Sequence, residues 1–81
     1  MIASMKCTLN TVEIGNIVQV EELTLSGSMR RRLQDIGIIQ GTRVECLQKS
    51  PSGDPTAYLV RGTVIALRAE DAAGIAVRAV S

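Results

Sequence analysis

The sequence has no tryptophan, no phenylalanine and a single tyrosine, Tyr58. Proteins that hold single-stranded nucleic acid stack its bases on aromatic rings, so that class loses its main device here, and any core has to be aliphatic. Histidine is also absent, which removes the side chain most often used as a general base near neutral pH. The two cysteines, Cys7 and Cys46, are far apart and in no CxxC spacing. In a reducing compartment they read as free thiols. Charge is nearly balanced at a net +1, which argues against a broad basic face for nucleic acid. No apolar run approaches the ~18 residues of a membrane span, and residues 1–10 lack the charged start and apolar stretch of a secretory signal. A cytosolic protein with no direct membrane insertion is the expectation.

What is present is aliphatic. With 46% hydrophobic residues in 81, many of them Val, Ile and Leu, the chain reads as a folded, mainly β domain rather than a disordered one. It is read as one domain over residues 1–81, of the size at which a core leaves only ~3–5 kcal/mol of net stability. Residues 1–8 show no pattern and are treated as a candidate disordered lead.

Residues 28–41, SMRRRLQDIGIIQG, organise the rest. Met29, Leu33 and Ile36 fall at i, i+4 and i+7 and predict a short amphipathic helix. Ser28 is the candidate N-cap. Gly37 is the expected stop, and the motif then brings Leu33 against Ile38. Arg30, Arg31 and Arg32 oppose the helix dipole, at ~0.3 kcal/mol or more each when exposed. They are therefore not there to hold the helix together, and Arg30 and Arg31 become candidates for pairing with a partner's carboxylates. Arg32, beside the apolar stripe, is assigned to packing. The alternative is a solvated face whose arginine stems lie over apolar neighbours.

Along the chain, Leu9 and Val12 predict a short 3₁₀ or helical lid. Strands are expected at residues 17–22, 43–48, 56–61, 63–67 and 75–79, with an exposed hairpin loop at 49–55, a turn at Gly62 and a short helical turn at 68–73. Five short strands without βαβ alternation suggest a small barrel. If Val44, Cys46, Tyr58 and Val60 face inward, then Leu47, Leu59 and Val64 form an outer apolar face, a candidate surface for a partner or a second copy. A register slip of one residue buries them instead.

No catalytic constellation can be assembled, and the chain is read as a non-enzyme. Metal donors are scattered. Glu21-Glu22 and Glu70-Asp71 are the only adjacent acidic pairs, and neighbours on a strand point to opposite faces. No metal or cofactor site is assigned, and at most weak association of a metal ion is expected.

An ordered set of residues nevertheless looks familiar: Gly15; Arg32-Leu33 and Asp35-Ile36-Gly37; Gly41 and Val44; Pro51 with Gly53-Asp54-Pro55; Val60-Arg61-Gly62; Ala66-Leu67-Arg68; Ile75 and Val77. By their order and spacing over residues 9–77 the chain resembles the ferrous iron transport protein A family, FeoA. The resemblance implies a five-stranded SH3-like barrel with one short embedded α-helix and a second short helical turn. It also implies a cytosolic accessory protein contacting a FeoB-type GTP-binding membrane transporter, without enzyme activity of its own. Gln40 stands where that family commonly has proline, and Cys46 where it has an aliphatic residue. Two alternatives remain open. One is a regulatory module related to the C-terminal domain of metal-dependent repressors, whose DNA-binding helices are missing here. The other is an RNA-binding SH3-like barrel, which the arginines favour and the near-neutral charge disfavours.

Overall fold

Six strands form one antiparallel sheet, most of them marked by alternating aliphatic residues. The computed structural model describes residues 6–80. In chain order they form β1 (Lys6–Thr8), a 3₁₀ turn (Leu9–Thr11), β2 (Ile17–Leu23), α1 (Gly27–Asp35), β3 (Arg43–Lys49), β4 (Thr56–Val60), β5 (Thr63–Leu67), α2 (Ala69–Ala72) and β6 (Ile75–Ala79). The strand order is β1-β6-β2-β3-β4-β5.

The expectation of five strands is corrected to six, because residues 6–8, read as part of a patternless lead, form β1. Lys-Cys-Thr has no alternation to read. The strand exists only through its partner at the far end of the chain, with Cys7 opposite Val77 and Thr8 opposite Ala76. Residues 1–5 of that lead lie outside the described residues.

Period-two burial, broken once in β2 where a bulge after Val20 turns Leu23 inward, fills the interior. Val18, Val20 and Leu23 of β2, Val44 and Cys46 of β3, Tyr58 and Val60 of β4, and Ile75 and Val77 of β6 share one core with Leu9, Val12, Leu33, Ile38, Leu67 and Ala72. Each large aliphatic side chain so buried contributes ~1.5–3 kcal/mol before entropy is counted. The Tyr58 hydroxyl reaches the carbonyl of Leu9 at 3.4 Å. That contact links β4 to the turn after β1, so the sheet curls into a partly open barrel with the Leu9–Val12 lid over the core.

Helix α1 ends as its sequence dictates. Gly37 has φ +102°, which a side chain rarely adopts. The Ile38 N–H donates to the Leu33 carbonyl at 2.9 Å and the Gly37 N–H to the Gln34 carbonyl at 3.0 Å, the paired bonds of a Schellman stop. Leu33 and Ile38 are both fully buried. The buried Thr42 hydroxyl then donates to the Gly37 carbonyl at 2.8 Å and accepts the Ile39 N–H at 3.2 Å, fixing the loop into β3. Two local expectations fail. The N-cap is Ser26, without a side-chain capping bond, rather than Ser28. Ile36 is the C-cap at φ −88°, ψ 2°, past the last helical residue, and its side chain leaves the core stripe and stays 39% exposed.

Candidate partner-binding surface

The three arginines of α1 have three different surroundings. Arg30 Nη1 donates to the backbone carbonyl of Leu23 at 2.9 Å, tying the start of α1 to the end of β2. It therefore has a role inside the fold, which the reading of it as a purely outward group did not include. Arg31 is exposed and makes no ion pair or side-chain hydrogen bond among the described residues. Together with Gly27, Ser28, Gln34 and Asp35 the arginines line a shallow depression along α1. Arg32 also borders the space between α1 and β5.

The outer face of the sheet keeps the expected register. Val44, Cys46, Tyr58 and Val60 are each at most 1% exposed, so the slipped alternative is out. Leu59 lies directly opposite Val64. The connection between β4 and β5 is a two-residue turn with φ +52° at Arg61 and +82° at Gly62, the type I′ geometry that suits the twist of a hairpin. That turn makes Val60 and Thr63 a hydrogen-bonded pair, and Leu59 and Val64 the next, non-bonded pair, whose side chains stand closest. Val64 is 61% exposed and Leu59 is half-buried. Leu47 does not join them directly. Cys46 pairs with Tyr58 and Gln48 with Ala57, so Leu47 is the extra residue of a β-bulge, and Glu45 is the residue opposite Leu59.

Local patterns did not show a groove between α1 and β5. Met29, Leu33 and Ile36 form one wall and Ile65, Ala66 and Leu67 the other, with Arg32, Arg68, Glu70 and Asp71 around it, enclosing about 640 Å³. Nothing short-range in residues 28–41 or 63–71 announces it, because neither segment carries the relative position of the other. The one usable signal was Ile36, an apolar residue at the end of a stripe that the core does not absorb.

Among the described residues no three His, Cys, Asp or Glu side chains are grouped to hold a metal. Of the acidic pairs, Glu21 is taken up by Arg78 at 2.9 Å, an exposed contact of small energetic weight. Burial pushes the Cys46 thiol up, with Lys49 partly opposing. Burial, then the neighbouring Cys46, pushes the Tyr58 hydroxyl up. Both groups stay neutral near pH 7, and neither faces the surface described above. No helix among the described residues is long and apolar enough to cross a membrane.

A curled antiparallel sheet with one embedded helix is the architecture of small SH3-like domains. A FeoA protein from Stenotrophomonas maltophilia, described as a prokaryotic SH3 domain protein and solved with zinc, matches at TM-score 0.78 with 28% identity, over 86% of this chain and 87% of that one. The chain belongs to the FeoA family: the FeoA domain profile matches residues 7–79. A FeoA-like protein from Clostridium acetobutylicum has the same fold at TM-score 0.86 and 34% identity, over 99% of this chain and 92% of that one. A curated relative from Porphyromonas gingivalis, a Fe(2+) transport protein A/Fe(2+) transporter FeoB fusion protein, is 34% identical over 73 residues, which are 90% of this chain and 8% of the fusion. This chain thus spans a small fraction of that relative. A manganese-dependent transcriptional repressor shares the fold alone, at TM-score 0.85 and 17% identity over 99% of this chain and 45% of the repressor.

Proposed function

We propose that this protein is a non-enzymatic accessory factor for ferrous iron uptake, acting at the cytosolic face of the membrane by direct contact with a FeoB-type GTP-binding transporter. The observation that carries this reading is the fusion protein, in which a segment 34% identical to this chain is joined to a FeoB transporter. Covalent joining of two modules raises their mutual concentration, which serves partners that act together. Two separate faces support contact rather than catalysis: the outward Arg31 with neighbouring Arg30 on α1, and the apolar pair Leu59 and Val64 on the outer face of the sheet, from which half-buried Leu47 is set apart by the bulge.

The chain is treated as one domain that meets its partner through these faces, and self-association through the apolar pair is the competing use. The test is co-purification with a co-expressed FeoB-type transporter, run beside a general RNA pull-down. Capture of the transporter and not of RNA is the expected result. Enrichment of RNA without transporter overturns the proposal in favour of an RNA-binding barrel.

A further inference from the structure

The end strand β5 is an unguarded sheet edge. It is last in the strand order, its five residues TVIAL contain no charge, proline or glycine, and its pairing with β4 runs without a bulge. Edges of this kind are normally blunted by one of those devices because they template further pairing. The hairpin register decides which groups are free. Val60–Thr63, Tyr58–Ile65 and Thr56–Leu67 are the hydrogen-bonded pairs, so the N–H and C=O of Val64 and Ala66 point away from β4. No backbone bond from either residue to another element is found among the described residues.

Val64 is open to solvent, whereas at Ala66 the free edge borders a groove. Ala66 lines the groove whose opposite wall is α1. A strand entering there is flanked by β5 on one side and by Met29, Leu33 and Ile36 on the other. We propose that the groove between α1 and β5 receives an extended, acid-bearing peptide segment of a partner protein, which adds to the sheet as a strand beside β5. The proposal deepens the partner-contact reading and rests on it.

The geometry selects the occupant. A second copy of this chain would bring its β5 with β4 already paired along the other edge, a two-stranded ribbon that is a wider guest than a single strand for a groove of about 640 Å³. A single extended segment fits. Five residues of strand span ~17 Å, with alternate side chains facing the apolar walls. Its charge follows from the rim. Arg32 stands on the α1 wall between Met29 and Ile36, Arg68 follows β5 directly, and neither is in an ion pair among the described residues. A carboxylate near the middle of the segment meets Arg32, whereas Glu70 and Asp71 disfavour acids at the end where β5 runs into α2.

The experiment uses the full chain, ¹⁵N-labelled, and a blocked ten-residue peptide alternating threonine and valine with one central glutamate. A central-lysine version is the control. Amide exchange at Val64 and Ala66 is expected to slow at least tenfold with the glutamate peptide, and the lysine peptide to bind at least fivefold more weakly. Ala66→Pro removes an outward N–H without touching a β4–β5 bond and is expected to abolish binding. Should that variant lose its dispersed amide spectrum, Ile36→Glu, at a position already exposed, is expected to weaken binding at least tenfold. Absence of binding, binding that leaves both amides unprotected, or protection that grows with protein concentration alone overturns the inference. The same variants are then used in transporter co-purification. Equal capture by wild type, Ala66→Pro and Ile36→Glu sinks the groove and leaves the partner reading standing. No capture by wild type sinks the partner reading, and the peptide result alone then decides the groove.

Discussion

Replacing Arg30 and Arg31 separately by Gln tests how the structure divides their roles. Both changes keep helical propensity and remove a charge that opposes the dipole, which returns ~0.3 kcal/mol in each case. Arg30 also donates to the Leu23 carbonyl at 2.9 Å, and a glutamine side chain is too short to reach it. A net hydrogen bond is worth ~0.5–1.5 kcal/mol, and one from a charged donor ~1.5–3 kcal/mol when shielded from water. Water has partial access to this one, so a loss of about 1 kcal/mol before the dipole gain is the reasonable figure. Arg30→Gln is therefore expected to cost about 0.5–1 kcal/mol, or ~2–8 °C in Tm for a domain of this size. Arg31→Gln should match wild type or exceed it by ~0.3 kcal/mol. Urea and thermal unfolding of the two variants side by side provide the measurement. Equal stability of the two, or a larger loss for Arg31→Gln, refutes the assignment of Arg30 to the Leu23 carbonyl. Transporter binding is then read cleanly only from Arg31→Gln, and its deficit should shrink at high salt.

A Leu59→Glu, Val64→Lys double variant should stay folded, because neither side chain is in the core. It should lose any partner or self-association that buries them, at ~1.5 kcal/mol or more per side chain before binding costs; unfolding would show that this face is core after all. Fe²⁺ should bind weakly or not at all in anaerobic calorimetry, since no donor set is grouped among the described residues, and stoichiometric binding at about micromolar affinity or tighter would make the protein an iron carrier. Folded Cys46 and Tyr58 hold their protons above the ordinary values of 9.0 and 10.0. Below about pH 8 both states keep these protons and stability is intact. Above it the unfolded chain releases them first, so the urea midpoint should fall with rising pH; a midpoint flat to about pH 10.5 contradicts the buried environment of both groups.

Much of the architecture was readable because it depends on short-range rules. The stop at Gly37, with Leu33 meeting Ile38, follows from residues within one turn of each other. The inward sets of β3 and β4 and the Val18–Val20 pair of β2 follow from a period of two, and the Arg61-Gly62 turn fixes the Leu59–Val64 pair. An ordered string of small motifs was enough to indicate the family. The remainder needed contacts between distant segments. β1 is a strand only because β6 offers it an edge. Leu47 stands apart from Leu59 because of a bulge, which inserts a residue without a local signature. Arg30 looked free because its acceptor belongs to another element's backbone, a group the side-chain pattern does not display. The groove exists because the curled sheet sets α1 beside an edge that β4 leaves unpaired. Periodicity records which side of an element avoids water, and only the packed chain decides which other element that side meets.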